Sequence, residues 1–227
     1  NLDVVTGGEI RIDLGSLQEK LVRRRRGGYC HEHNTLFATV LDRLGFEVAG
    51  RNARMLMGED ANVVTPLGHT MLVVKAEGRD WMVDVGVGNV GPREPIRLEA
   101  GNEVSHGPWE YRLERSPLGY WLLRHKRLGE WFNIYQFSDE LTYRADSAEY
   151  NYLASHHPAS PFVRRIVAQH NGAEVRFALT DLELKTFRPG EPPELRRIAA
   201  GELPGVLRER FGLALAPQQE RLLLRRA

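Results

Sequence analysis

The sequence predicts an α+β protein rather than a doubly wound sheet, because helical periodicity comes first, short strands follow, and the chain closes on a mixture of both. Three observations carry this prediction. Apolar residues recur at helical spacing as far as Gly45. From Glu47 onward the pattern changes to short strand-like runs punctuated by Gly, Pro, Asp and Asn. Beyond Pro158 two further strand-like stretches precede two helical ones. No internal repeat or low-complexity segment interrupts this order.

In chain order, Leu14, Leu17, Leu21 and Val22 predict a helix over 13–26; Arg23 to Arg26 fill its last turn as a solvated face favoured by the helix dipole, and Gly27 and Gly28 end it. Leu36, Phe37, Val40, Leu41 and Leu44 predict a second helix that starts close to Cys30 and stops at Gly45. Strands are predicted over 48–57, 70–74, 81–85, 109–113, 120–124 and 131–137, a set that fits a meander or small barrel. Strands over 175–179 and 182–187, a helix over 204–211 and an amphipathic tail after Pro217 complete the reading.

Composition excludes several classes. The chain has 227 residues, 42% of them apolar, enough for a sizeable core, and no apolar run approaches the ~18 residues of a membrane span. A net charge of +1 argues against a nucleic-acid binder that works by bulk electrostatics. Lys20, Lys75, Lys126 and Lys185 are the lysines and every other basic residue is arginine, a bias with no functional weight. One cysteine excludes an intrachain disulfide and any multi-cysteine metal site, so Cys30 is either an inert buried thiol or a reactive one. The chain opens on Asn1 with no leader pattern, so the expectation is that something upstream is missing.

A thiol is a nucleophile only as its thiolate, and both a helix N-terminus and nearby arginines favour that anion. Arg26-Gly27-Gly28-Tyr29-Cys30 is a polar, flexible turn into a helix, suited to presenting a reactive thiol. Such a nucleophile needs a base, commonly histidine, and an acid to orient that base. Of the eight histidines, His31 and His33 lie too close to Cys30 in sequence to judge, and His106, His125, His156, His157 and His170 have no obvious acidic partner. His69 does. If Glu77-Gly78 is a two-residue hairpin loop, Ala76 pairs with Arg79, Met71 lies opposite Asp84, and His69 becomes the diagonal neighbour of Asp84 on the same face, ~7–8 Å away by backbone. Asp84 precedes a Gly-rich turn and is open to a reading as a turn former, but an ionised carboxylate in Trp81-Met82-Val83-Asp84-Val85 needs a partner.

Two other patterns fail on context. Gly86-Val87-Gly88-Asn89-Val90-Gly91 matches a dinucleotide fingerprint, but Pro92 and Pro95 forbid the helix whose N-terminus would hold a pyrophosphate. His31-Glu32-His33 looks like a metal cluster, yet the i and i+2 positions of a helix point about 200° apart, so no metal site is expected.

Arg26 to Cys30 with Glu32, His33 and Asn34, then His69, then Asp84-Val85-Gly86 with Gly88 and Asn89, resemble the arylamine N-acetyltransferase family in type, order and spacing. Asn1-Leu2-Asp3, Glu94 to Leu98, His157-Pro158 and Ser160-Pro161-Phe162 extend the resemblance over nearly all of the chain. It implies an N-terminal helical bundle portion with the nucleophile over 1–46, whose first helices lie upstream, a central antiparallel β-barrel over 47–145, and a C-terminal α/β lid over 146–227, around a cysteine core of the papain and transglutaminase type. The implied chemistry is ping-pong transfer from acetyl-CoA to a small aromatic amine or hydrazine, with Cys30, His69 and Asp84 catalytic, Gly86, Val87 and Gly88 at the substrate and CoA site, and no permanently bound cofactor. A cytoplasmic location with no nucleic-acid or membrane partner goes with that reading. His31 and Val87 stand where members commonly have phenylalanine, and Gly68 where they commonly have threonine, so the acceptor pocket is expected to be reshaped. The alternative on the same scaffold is an amide synthase that releases a carrier-bound polyketide as a macrolactam. A cysteine hydrolase, and a binding protein that uses the arginine cluster, are the readings from other classes.

Overall fold

The computed structural model describes residues 1–226. The chain opens with a short helix, α1 (Leu2–Val5), followed by α2 (Leu14–Leu17), whose N-cap Asp13 accepts hydrogen bonds from the amide and hydroxyl of Ser16 at 3.0 and 2.8 Å. α2 continues as a π-helical turn over Gln18–Arg23, where the Arg24 amide donates to Glu19 and the Arg26 amide to Lys20. The helix predicted over 13–26 is therefore shorter and wider in its second half. Its four arginines are not one solvated face either. Arg23, Arg24 and Arg25 are exposed, but Arg26 leaves the helix, is buried, and donates to Asp3 at 2.7 Å and to the Ala214 carbonyl at 3.1 Å. A buried guanidinium needs such partners, and these tie the start of the chain to its end.

The second predicted helix is α3 (Cys30–Arg43), with Cys30 at its first position. Then come β1 (Glu47–Met55), β2 (Leu67–Ala76), β3 (Arg79–Val83), β4 (Ile96–Arg97), β5 (Asn102–His106), β6 (Trp109–Arg115), β7 (Trp121–Arg127) and β8 (Glu130–Phe137). They form one antiparallel sheet in the order β4-β3-β2-β1-β8-β7-β6-β5, and its edge strands β4 and β5 meet without hydrogen-bonded pairing, which leaves a nearly closed barrel. Met71, Met82, Tyr111, Leu113, Leu123, Ile134, Tyr135 and Phe137 fill its interior. β4 and β5 are absent from the sequence reading because one is two residues long and the other, Asn-Glu-Val-Ser-His, has little apolar alternation. The β2–β3 register runs from Ala76↔Arg79 to Leu72↔Val83, the parity predicted from a two-residue turn, although β3 ends before Asp84.

A helix that the sequence reading lacks, α4 (Arg144–His156), follows; Asn151 is its one buried residue, so it has no apolar stripe to signal it. After α5 (Pro161–Arg164), the strands β9 (Val167–His170), β10 (Arg176–Thr180), β11 (Glu183–Phe187) and β12 (Glu194–Arg197) make a second antiparallel sheet in the order β12-β11-β10-β9. A 3-10 turn at Ala200–Glu202 leads into α6 (Leu203–Phe211), and α7 (Pro217–Arg226) ends the described chain. Ile166, Leu179, Leu184, Leu203 and Leu207 form the second core, which also receives Leu2 from α1. Among the described residues no helix is long and apolar enough to cross a membrane.

Arg26→Ala is expected to lower unfolding stability by about 2 kcal/mol, because it removes a buried ion pair, leaves Asp3 to Lys20 and Gln219, and strands the Ala214 carbonyl. Arg24→Ala is expected to stay within about 0.5 kcal/mol. Urea denaturation of the two variants beside the wild type measures both.

Candidate active site

α3 starts at Cys30 because the preceding turn is pinned from below. Glu32, fully buried, accepts from the Tyr29 amide at 3.1 Å and from Lys20 Nζ at 2.6 Å, while Lys20 also reaches Asp3 at 3.2 Å. Gly28 packs directly over Glu32, where a Cβ would come within 2.7 Å of the carboxylate and would have to displace it. Burial raises the Glu32 pKa, and the Lys20 ammonium opposes that rise. Cys30 is thus held at the first helical position, only 5% exposed.

His69 comes from β2 and Asp84 from just past β3. His69 Nε2 and Asp84 Oδ2 are 2.6 Å apart, and both side chains are buried. This contact occupies one ring nitrogen and leaves Nδ1 free of the carboxylate. The ring of Tyr135, on β8, lies against His69 with centroids 5.1 Å apart. The second oxygen of Asp84 is also satisfied, by the Gly86 amide at 2.8 Å and by Asn34 Nδ2 at 3.0 Å.

Asn34 is one helical turn beyond Cys30, and it clamps the helix to the barrel. Its Nδ2 also donates to the Thr70 carbonyl at 2.7 Å, and its Oδ1 accepts from the Val85 amide at 3.2 Å. This one side chain joins the helix that carries the thiol to the strand that carries His69 and to the turn that carries Asp84. The sequence reading quoted Asn34 in the motif but gave it no role; the i, i+4 spacing from Cys30 was the signal.

The electrostatics follow from burial and partners. Burial pushes the Cys30 thiol up, but His31 and His69 outweigh it and bring the pKa down to about 5. Burial pushes His69 down, but Asp84 and then Cys30 lift it to about 10. Asp84 is raised by burial and lowered by more through His69, Asn34 and the Gly86 amide. Burial and partners together favour the thiolate at Cys30 and the imidazolium at His69. Arginines near Cys30 in sequence are not what lowers its pKa: the effect comes from the two imidazoles, and Arg26 is engaged with Asp3.

Gly86 packs on the nucleophile, since a Cβ there would fall 2.6 Å from the Cys30 Cα and 2.7 Å from Asn34 Nδ2. Val87 is buried in the barrel core, and the Gly88 α-carbon faces the side chain of Gln169 on β9, which accepts from the Asn89 amide at 3.1 Å. No helix follows this turn, so its glycines do not open a dinucleotide site. His31 acts on Cys30, and His33 accepts from the Gly28 amide at 3.1 Å and feels the charge of Asp84.

A family model described as N-acetyltransferase matches residues 1–220. The chain belongs to the arylamine N-acetyltransferase family. It is 37% identical to an arylamine N-acetyltransferase of Mycobacterium tuberculosis over 97% of this chain and 79% of that protein. It is 31% identical to the arylamine N-acetyltransferase / N-hydroxyarylamine O-acetyltransferase of Salmonella typhimurium over 95% of this chain and 76% of that protein. Among solved structures, the Mycobacterium abscessus arylamine N-acetyltransferase superposes with a TM-score of 0.93 at 34% identity, covering 99% of this chain and 81% of that one. The Mycobacterium marinum enzyme in complex with CoA superposes with a TM-score of 0.90 at 29% identity, covering 99% of this chain and 86% of that one. The α+β class, the barrel and the family predicted from sequence all agree with these likenesses.

Three outcomes test this family site directly. Alkylation of Cys30 by iodoacetamide is expected to hold a plateau at neutral pH and to fall as pH drops through about 5, where the thiolate is protonated. His69→Gln removes one of the two imidazoles, so that fall moves upward in pH, and the rate at neutral pH drops by up to about tenfold. Gly86→Ala forces a Cβ into helix backbone that cannot yield, and it is expected to cost about 1–3 kcal/mol of stability in a denaturant titration.

Proposed function

We propose that Cys30, His69 and Asp84 carry acetyl groups from acetyl-CoA to the nitrogen of an arylamine or hydrazine through an acetyl-cysteine. The observation that supports these roles best is the buried 2.6 Å contact between His69 and Asp84 beside a thiol whose pKa is lowered to about 5. The Cys30 thiolate attacks the thioester carbonyl, the bond from carbonyl carbon to CoA sulfur breaks, and the His69 imidazolium gives its proton to the departing CoA thiolate. The amine nitrogen then attacks acetyl-Cys30, its proton passes to His69, and the Cys30 thiolate leaves. The first half leaves acetyl-Cys30 beside a neutral imidazole, and the second returns the site to thiolate and imidazolium. Asp84 orients the ring and keeps it basic.

The Gly86-Val87-Gly88 turn is assigned to the acyl-donor side. Gly86 brings backbone against Cys30, but its amide is committed to Asp84, so its contribution is close approach rather than a free donor. Val87 stands in place of a phenylalanine, with its side chain packed into the barrel core. By this reading residues 1–46 present the nucleophile, 47–145 the base and its acid, and 146–227 cover the site. The steps use acetyl-CoA as a consumed substrate and need no resident metal or redox group. The reaction belongs in the cytoplasm, where acetyl-CoA is at hand and a thiol stays reduced. The naming of its relatives as arylamine N-acetyltransferases favours acetyl transfer over release of a carrier-bound polyketide. The burial of Cys30 favours an amine over water as acceptor.

Intact-mass analysis after incubation with acetyl-CoA is expected to find one acetyl group on the wild type and none on Cys30→Ala. Addition of an arylamine should return the wild type to its starting mass. A wild type that stays unmodified by acetyl-CoA overturns this function.

A further inference from the structure

The outer part of the turn after Asp84, from Gly88 to Gly91, is held to its surroundings by four hydrogen bonds. The Asn89 carbonyl accepts from Arg176 Nη1 at 3.2 Å, and the Gly91 carbonyl accepts from the Tyr111 hydroxyl at 2.5 Å and from Asn171 Nδ2 at 3.1 Å. Arg176 and Tyr111 are buried and Asn171 is half-buried, so the holds on the carbonyls are withdrawn from solvent. The fourth is different: the Asn89 amide donates to Gln169 Oε1 at 3.1 Å, and Gln169 is exposed. A side chain in water exchanges one hydrogen bond for another at little cost, so this hold is the most easily released. Gly88 makes the arrangement possible. A Cβ there would overlap the Gln169 carboxamide, so that group lies directly on the turn.

Gly86 packs on Cys30, and Asn89 follows three residues later, so its amide lies within about 11 Å of the Gly86 α-carbon. A pantetheine arm reaches that far: its first amide stands two carbons from the sulfur and its second two carbons further on. A backbone N–H takes an acceptor, and the acceptor this chain supplies is a carboxamide oxygen. On the acetyl-transfer reading given above, we propose that the Asn89 amide is a subsite for a pantetheine amide carbonyl of acetyl-CoA, and that the Gln169 carboxamide fills it until the donor arrives. Binding then exchanges one carboxamide for another: Gln169 turns into solvent and the pantetheine carbonyl takes the Asn89 N–H. Gln169 thereby competes with donors that carry amides and not with donors that lack them.

Acylation by three donors tests this in the wild type, Gln169→Ala and Gln169→Glu: acetyl-CoA, S-acetylpantetheine, which keeps the amides but lacks the phosphates, and phenyl thioacetate, which lacks both. In a ping-pong reaction kcat/KM for the donor reports only the acylation of Cys30, and the ratio of S-acetylpantetheine to phenyl thioacetate cancels general damage to the site. That ratio should rise by at least about threefold in Gln169→Ala, which vacates the amide, and fall by at least about threefold in Gln169→Glu, whose carboxylate holds it more tightly. A smaller change in either variant, or a change in the opposite direction, overturns the proposal. A shift confined to acetyl-CoA overturns it by giving the subsite to a phosphate. Intact mass of the wild type after acetyl-CoA alone separates this failure from failure of acetyl transfer itself, because acetyl-Cys30 would still form in the first case.

Discussion

A carboxylate withdrawn completely from water is the constraint on which the rest of the site depends. Asp84 is ionised in a buried place, and desolvation alone would neutralise it. It stays charged because each oxygen is satisfied: one by His69, the other by Asn34 and the Gly86 amide. Those partners come from β2, from α3 and from its own turn. To ionise Asp84, the chain therefore has to bring helix, strand and turn to within hydrogen-bond distance of one another. The geometry of the nucleophile is then a by-product of satisfying the acid, since Asn34 fixes the helix on which Cys30 sits.

A second buried carboxylate performs the matching task at the other end of the nucleophile. Glu32 holds the Tyr29 amide and Lys20, and Lys20 in turn holds Asp3, to which Arg26 is also bonded. Because Arg26 also donates to the Ala214 carbonyl, the position of the α3 N-terminus is linked through ion pairs to Asp3 and through a hydrogen bond to the segment before α7. Burial at each step makes these contacts expensive to break and so specific in geometry. The glycines Gly28 and Gly86 serve the same packing from opposite sides, one against Glu32 and one against Cys30.

What was legible in the sequence was whatever obeys a local period. Hairpin parity around Glu77-Gly78 placed His69 and Asp84 on one face, and the apolar stripe from Leu36 to Leu44 placed Cys30 at a helix start. What was not legible is held by contacts between distant segments. α4 has no apolar stripe because its key residue is Asn151, which donates to the Ile10 carbonyl and accepts from the Tyr29 hydroxyl. β12 is exposed throughout, so alternation has nothing to report. The burial of Arg26 depends on Asp3 and Ala214, which no window around residue 26 contains. The influence of the arginines on Cys30 was inferred from proximity in sequence, and the structure replaces it with two imidazoles that arrive from different elements.

On the proposed mechanism, the coupling between those groups also orders the two half-reactions. His69 owes its raised pKa to Asp84 first and to the Cys30 thiolate second, against burial. When the thiolate becomes a neutral thioester, the second contribution vanishes while the Asp84 contact persists, so the imidazolium becomes a stronger acid just as the departing CoA sulfur needs a proton. The neutral ring that remains is still backed by Asp84, which suits it to take the proton of the incoming amine. Once the thiolate is released again, its charge restores the imidazolium. The charge on sulfur thus sets the proton affinity of the ring at each stage, and burial of the pair keeps solvent from screening that exchange.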